Sequence, residues 1–315
     1  MTAPIVPILP ETIALAAEIL SEGGLVAIPT ETVYGLAADA ANPEAVARLY
    51  EAKGRPRFNP LIAHISSWEM AEREAEFSPL ARTCAEAFWP GPLTLVLPAK
   101  SSGRVSELAR AGLETLAVRW PKHRAAAALI EVFGRPLVAP SANRSGHVSP
   151  TRAEHVAEDL GERISLILDG GPCDVGMEST ILGFQDGEPV LLRPGGVATE
   201  TISAKLGRSV RPYSGHAGIN APGQMKSHYS PRARLRLNAM AREDGEGFLA
   251  FGPFVPGDLS LSTSGDLVEA AANLFEMLRS LDTQFERIAV SPVPATGLGE
   301  AINDRLERAA YREAG

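Results

Sequence analysis

Apolar residues at Ile13, Ala16, Ala17 and Leu20 recur at helical spacing across Glu11–Glu22, and Gly23-Gly24 stops the run. Leu25–Ile28 follows as a short, fully apolar stretch, the pattern of a buried strand. Asn42-Pro43 sets a capping side chain before a proline and opens a helix that runs to about Ala52. Leu61–Ile65 reads as another strand, and Ser66 with Glu69 has the spacing of a capping box. Further strands are predicted at Leu93–Leu97, Leu116–Trp120, Leu137–Ala139, Ile164–Leu168 and Thr180–Phe184. Helices are predicted at Pro79–Phe88, Lys122–Phe133 and Thr151–Leu160. This alternation predicts an α/β domain around a mostly buried sheet whose strands need not all run the same way.

The rhythm is lost over Gly195–Pro231, where glycines, prolines and serines cluster without periodicity. That stretch reads as a long linker or as a loop covering an active site. The α/β pattern then resumes with a strand at Gly247–Phe251, a helix at Asp266–Leu281 opened by an Asp266/Glu269 box, a strand at Ile288–Ser291 and a helix at Glu300–Arg312. A small second α/β domain follows from it.

Composition adds exclusions. The 315 residues are 45% hydrophobic and 22% charged, enough apolar content for a substantial core. The formal charge of −8 disfavours extensive non-specific binding of nucleic acid, while leaving room for a local basic groove. Cys84 and Cys173 form no CxxC pair and read as two buried or free thiols. No run is long enough for a membrane span, and Met1–Pro10 lacks the basic start of a secretory signal, so a cytoplasmic location is expected.

The chain has no GxxxxGK[ST] loop, no GxGxxG opening a helix after a strand, no HExxH and no GxSxG. A nucleotide site here must be assembled from scattered polar and basic residues. Pro29-Thr30-Glu31-Thr32-Val33-Tyr34-Gly35-Leu36 leaves a strand at the edge where open α/β sheets place ligands. A plain turn with local Thr–backbone bonds explains it equally well. Lys53-Gly54-Arg55-Pro56-Arg57-Phe58-Asn59-Pro60 puts three cations within five residues, suited to phosphate oxygens. Histidines placed as His64 is, inside an apolar strand, more often serve as satisfied core residues. Thr115 and Arg119 share one strand face, and Arg119 needs an anionic partner, either a carboxylate ligand or a buried Asp or Glu. The loop from Val138 to Thr151 is crowded with hydroxyl and amide groups, as in an anion nest or a Ser-rich turn. Gly176-Met177-Glu178-Ser179-Thr180 and Leu192-Arg193-Pro194-Gly195-Gly196 repeat the theme of a small or charged group at a strand edge. Such a set suits phosphate handling by positioning and charge neutralisation better than covalent catalysis.

The strings PTETVYGL, KGRPRFNPL, FWPGPLTLVL, PSANRSGHVSPT, GMESTI and LLRPGG, in this order, closely resemble the threonylcarbamoyl-AMP synthase family, whose catalytic unit is the YrdC-like domain. The resemblance runs from about Ser21 to Gly196, and Ser227-His228-Tyr229-Ser230-Pro231 with the trailing residues is similar to the two-domain form. It implies an α/β fold with a twisted open mixed sheet and helices over residues 1–200, a linker closing over the active site at 201–231, and a small Rossmann-like domain at 232–315. It implies a nucleotidyltransferase that converts L-threonine, bicarbonate or CO2, and ATP into threonylcarbamoyl-AMP and pyrophosphate. Partner proteins then pass the threonylcarbamoyl group to the adenosine beside the anticodon of certain tRNAs, with room left for a weak direct contact with RNA.

Carried over by position, Thr32, His64, Arg119 and Ser179 are the implied threonine contacts. Arg55, Asn59, Thr115, Ala139 through its backbone, Ser141, Ser149 and Arg193 are the implied ATP contacts. Lys53 and Arg55 are the implied catalytic cations, and Tyr229 is expected to reach back over the nucleotide. No acidic metal cage is evident, so Mg2+ is expected to arrive with ATP. Two other readings stand beside this one: a carbamoyl-adenylate-forming relative, which normally carries further catalytic domains, and a non-catalytic RNA-binding protein.

Overall fold

The computed structural model describes residues 2–213, 228–253 and 255–312. Among them, an 11-stranded mixed sheet dominates the first two-thirds of the chain. Its order is Ile5–Pro7, Leu166–Asp169, Val26–Ile28, Gly35–Asp39, Leu137–Val138, Ile62–His64, Thr115–Arg119, Leu93–Pro98, Thr180–Gln185, Glu188–Arg193 and Arg211–Pro212. Parallel pairs, such as Ile62–His64 with Thr115–Arg119, alternate with antiparallel ones, such as Val26–Ile28 with Gly35–Asp39. The central strands are buried along their lengths, as their continuous apolar runs require.

Helix ends follow local chemistry. Asn42 accepts from the amides of Glu44 and Ala45 and starts the helix Pro43–Lys53, which Gly54 ends in the left-handed region at φ 60°. Helix Pro79–Phe88 has the expected bounds. The expected Ser66/Glu69 box does not form: Ser67 caps Met70 at 3.1 Å, and Glu69 instead pairs with Arg73 one turn on. The Asp266/Glu269 box is half made. Asp266 caps Val268 and Glu269, but the Glu269 carboxylate is taken by Ser262, whose hydroxyl oxygen also receives the Asp266 amide.

The segment expected to lack pattern contains regular structure. Thr199–Leu206 is a helix and Arg211–Pro212 adds an edge strand, with Ile202 and Val210 in the main core. Residues 214–227, which hold most of the Gly/Pro/Ser cluster, lie outside the described residues. The strand Glu188–Arg193 was also not anticipated. Asp186-Gly187, both at positive φ (53° and 77°), forms the tight hairpin turn that joins it to Thr180–Gln185.

A second, 4-stranded parallel sheet follows, in the order Arg234–Arg236, Arg287–Val290, Glu246–Ala250, Leu259–Ser260. Helices Leu267–Asp282 and Gly299–Ala310 cover it. Its apolar core extends into the first body, joining Val33, Val148 and Met177 to Leu274, Phe275 and Ile302. Both cysteines are buried free thiols. No helix among the described residues is long and apolar enough to cross a membrane.

Candidate active site

The parallel strands Ile62–His64 and Thr115–Arg119 end side by side, with His64 opposite Arg119. Both side chains line a cavity at this carboxyl edge. Arg119 donates from Nη2 to the Glu31 carboxylate at 2.7 Å and from Nε to the Gly91 carbonyl at 3.3 Å. Among the described residues, its hydrogen bonds are made by Nε and Nη2 and none by Nη1. Glu31 also accepts the Lys122 amide at 3.1 Å. The anionic partner required of Arg119 is therefore a protein carboxylate on one side, with one edge of the fork left over.

Burial, then the charge of Arg119, pulls the His64 pKa down to about 3. The ring is neutral at physiological pH. Its Nδ1 lies 3.2 Å from the Ile62 carbonyl, which can only accept, so the assigned tautomer carries its proton there and keeps Nε2 as an acceptor.

The same counting of protons orients the threonines. Thr30 donates its hydroxyl proton to the Val33 carbonyl at 2.6 Å, so the 2.8 Å contact between Thr30 and Thr32 hydroxyls must be donated by Thr32. Thr32, fully buried on the cavity wall, thus keeps acceptor capacity for a ligand. Across the cavity, the Ser179 hydroxyl meets Thr94 at 2.7 Å and accepts from Arg193 at 3.2 Å. Arg193 also holds the Ser179 carbonyl at 2.8 Å. A shift of register between Leu191 and Arg193 aims that arginine inward. A Cβ on Gly195 would lie 2.4 Å from the Glu178 carbonyl, so only glycine allows the Arg193 loop to sit against Glu178-Ser179.

Gly54 turns the chain so that Lys53 and Arg55 point to different neighbours. Arg55 lines the cavity, tethered to the Pro60 carbonyl at 2.9 Å, and burial draws its pKa down to about 10. It remains a cation at neutral pH. Lys53 is outside the cavity lining and gives its ammonium to the carbonyls of Ser141, itself in that lining, and Asn143. Burial and the charge of Arg55 hold its pKa well below the usual lysine range. Asn59 is buried, and its carbonyl receives the Tyr50 hydroxyl and the Arg55 Nε.

The remaining wall comes from three places: Ala139-Pro140-Ser141, Glu178 and His228-Tyr229. Tyr229 has a positive φ of 61°, is 1% exposed, and its hydroxyl has no partner among the described residues. Its ring stacks on Phe275 at 5.6 Å and meets His228 edge-on at 4.0 Å. Burial and the surrounding cations keep His228 neutral, far below its usual pKa. Glu178 receives the Ser149 hydroxyl at 2.5 Å. Burial pushes the Glu178 pKa up, but Arg305 and Arg193 outweigh it and hold the carboxyl below its ordinary value.

Thr32, Arg55, His64, Arg119, Ala139, Ser141, Ser179, Arg193 and Tyr229 are thus brought to one cavity, of about 40 Å³. Lys53, Asn59 and Ser149 support it from behind. Thr115 is on the Arg119 face at the far end of the strand, roughly 13 Å away at about 3.3 Å per residue, and is not in the cavity lining. Residue-type reasoning passed over Glu178, His228 and Asn143. Asn143 is 1% exposed, its Oδ1 has no partner among the described residues, and its amide bonds the Arg144 and His147 carbonyls. Glu178 adjoins Ser179, His228 adjoins Tyr229, and Asn143 lies two residues beyond Ser141, so closeness along the chain was the available signal. Among the described residues, no group of three or more His, Cys, Asp or Glu side chains could hold a metal ion. Three arginines around one small cavity make it locally positive, whatever the net charge of the chain.

A family model described as "Telomere recombination", covering Sua5, YciO and YrdC proteins, matches residues 18–195. A second, described as "Threonylcarbamoyl-AMP synthase, C-terminal domain", matches residues 197–311. The chain is 44% identical to threonylcarbamoyl-AMP synthase of Bacillus subtilis over 95% of its own length and 92% of that protein. It is 43% identical to the Pyrococcus abyssi enzyme of the same name, over 95% and 94% of the two chains. The crystal structure of P. abyssi Sua5 complexed with L-threonine superposes with a TM-score of 0.89 at 40% identity, covering 98% of both chains. The protein is a nucleotide-using transferase of the Sua5/YrdC type. It belongs to the threonylcarbamoyl-AMP synthase family.

Proposed function

We propose that the protein makes L-threonylcarbamoyl-AMP and pyrophosphate from L-threonine, bicarbonate or CO2, and ATP, for threonylcarbamoyladenosine modification of tRNA. The observation that carries the reading is the convergence of Thr32, His64, Arg119 and Ser179 on one cavity ringed by Arg55 and Arg193. Arg119 Nη1 takes the threonine carboxylate, while Thr32 Oγ1 and His64 Nε2 accept from its amino group. Clustered cations and neutral imidazoles favour the uncharged amine, which is the form that adds to CO2. The resulting carbamate oxygen attacks the α-phosphorus of ATP, and pyrophosphate leaves. That step needs alignment and fixed positive charge, supplied by Arg55 and Arg193, and no enzyme nucleophile.

Within this reading, Ser141 and the Ala139 backbone face the ATP, Asn59 and Ser149 support that side from behind, and Thr115 stands apart from it at the far end of its strand. Lys53 acts by holding the 141–143 carbonyls that carry the loop. Magnesium would be held by the nucleotide rather than by a protein carboxylate cage, and would supply further positive charge for the leaving pyrophosphate. An amino acid and a nucleotide together need several hundred Å³, so the His228-Tyr229 wall moves outward to admit them and returns to exclude water. Residues 1–200 form the catalytic unit, the chain around 201–231 carries that wall, and 232–315 form the smaller domain. The product passes to transfer proteins acting on tRNA, a role that fits a cytoplasmic enzyme, and any contact of its own with RNA is weak.

The test is pyrophosphate release with ATP, Mg2+ and bicarbonate, with and without L-threonine. Release that needs both threonine and bicarbonate, and fails with serine or valine, supports the reading. Folded, ATP-binding protein without threonine-dependent release overturns it.

A further inference from the structure

Arg305 belongs to the C-terminal helix Gly299–Ala310, yet it is fully buried and its contacts are those of a site residue. Its Nε donates to the Glu178 carboxylate at 2.9 Å, and its Nη2 donates to the Pro194 carbonyl at 2.9 Å. Its guanidinium lies 5.0 Å from the centre of the Tyr229 ring. Asp304 on the same helix balances Nη1 at 2.6 Å. Three of these four partners come from outside the helix, and each adjoins or is itself part of the cavity wall. Glu178 precedes Ser179 and receives the Ser149 hydroxyl, Pro194 follows Arg193, and Tyr229 closes the far side.

A fully buried guanidinium is costly unless every face is satisfied, and removing one partner of such a pair strands the other charge. The C-terminal helix is therefore locked to one arrangement of the Glu178-Ser179 strand edge and the Arg193-Pro194 loop. Apolar packing reinforces it, since Val33, Val148 and Met177 belong to the same core as Phe275 and Ile302. Arg279 adds a contact of the same kind, donating to the Val148 carbonyl one residue before Ser149.

We infer that Arg305 is a positioning residue for catalysis: through Glu178, Pro194 and Tyr229 it sets the Ser149, Ser179 and Arg193 groups of the active site, and this is how the C-terminal helices contribute to the reaction. The inference rests on the adenylate-forming reading of the cavity. Arg305 touches none of the reacting atoms and acts on turnover only through those three contacts.

The experiment uses the full-length chain and first establishes threonine- and bicarbonate-dependent pyrophosphate release by the unaltered protein. If that activity is missing, the proposed function fails and Arg305 is not at issue. With activity present, kcat and KM for ATP and for threonine are measured for Arg305→Lys, Arg305→Met, Glu178→Gln and the Arg305→Met/Glu178→Gln double variant. Arg236→Met serves as a comparison, because it breaks the Arg236–Glu246 pair of the C-terminal sheet, neither member of which lines the cavity. Melting temperature is recorded for each. Expected are a fall of at least tenfold in kcat/KM for Arg305→Met and for Glu178→Gln, and a double variant little worse than either single one. Arg305→Lys should recover part of the loss, and Arg236→Met should lower the melting temperature without changing kcat/KM. Should Arg305→Met fail to fold, Arg305→Lys and Glu178→Gln read the same coupling. Variants that melt earlier but keep full kcat/KM below their melting temperature, or losses that simply multiply in the double variant, overturn the inference.

Discussion

Glu31 and Arg119 form a buried ion pair of 2.7 Å in which each partner is anchored a second time, Glu31 by the Lys122 amide and Arg119 by the Gly91 carbonyl. The pair fixes the arginine's plane before any ligand arrives, leaving Nη1 as the edge without a hydrogen bond among the described residues. Preorganisation of that sort lowers the cost of binding a carboxylate. Arg119→Ala is expected to raise the threonine KM by about 100-fold, the loss of roughly 2–3 kcal/mol typical of a buried charged contact, with ATP binding changed far less. Equal losses for both substrates would contradict the assignment.

Removing the other partner tests the same pair through stability. Glu31→Ala leaves a buried guanidinium without its counter-charge, and about 3 kcal/mol of unfolding free energy should be lost. Chemical denaturation measures it. A loss below about 1 kcal/mol would mean that the arginine finds water instead.

The pH dependence follows from His64. Its pKa is about 3 in the folded chain against the ordinary 6.5, so between those values the unfolded chain binds a proton that the folded one refuses. The stabilisation is complete above pH 6.5 and is lost as pH falls towards 3, with a slope of at most about 1.4 kcal/mol per pH unit. His228, also held neutral, acts in the same direction. His64→Asn should flatten the dependence of the urea midpoint between pH 5 and pH 7, and an unchanged slope would place the proton uptake elsewhere.

Tyr229 combines a left-handed backbone with a hydroxyl that lacks a partner among the described residues. Tyr229→Phe removes a buried, unpaired group, so the melting temperature should hold or rise, by up to about 1 kcal/mol in stability. If the hydroxyl meets the nucleotide in the loaded enzyme, ATP affinity falls in the same variant. A fall in stability with affinity intact would reverse both halves of the argument.

Gly195→Ala offers a steric test. The added methyl meets the backbone at Glu178 and Ser179, which cannot rotate away, and a loss of about 3 kcal/mol or failure to fold is expected. Melting temperature reports it directly.

Local signals made much of the fold legible. Helices with a strong cap and a stop, such as Asn42 to Gly54 and Ser78-Pro79 to Phe88, fall within a residue or two of expectation because their ends are chosen by neighbouring side chains. The helix Thr199–Leu206 was not legible, having a single fully buried side chain, Ile202, and hence almost no apolar stripe to read. The two capping boxes differ for other reasons: Ser262, seven residues before Glu269, takes its carboxylate, while Ser67 displaces Ser66 as the cap and Glu69 pairs with Arg73.

The sequence by itself determined the alternation of elements, the cationic and hydroxyl-rich turns at strand ends, and, through whole strings of residues, the family. Only the tertiary structure decided what those groups do to one another. Arg119 finds Glu31, Lys53 gives its ammonium to the Ser141 and Asn143 carbonyls, and Arg305 crosses from the last helix to Glu178. Element formation depends on contacts within a few residues, which a linear pattern records. The partner of a buried charge is set by which strand edges the sheet order brings together, and that information lies in packing between segments 88 to 127 residues apart.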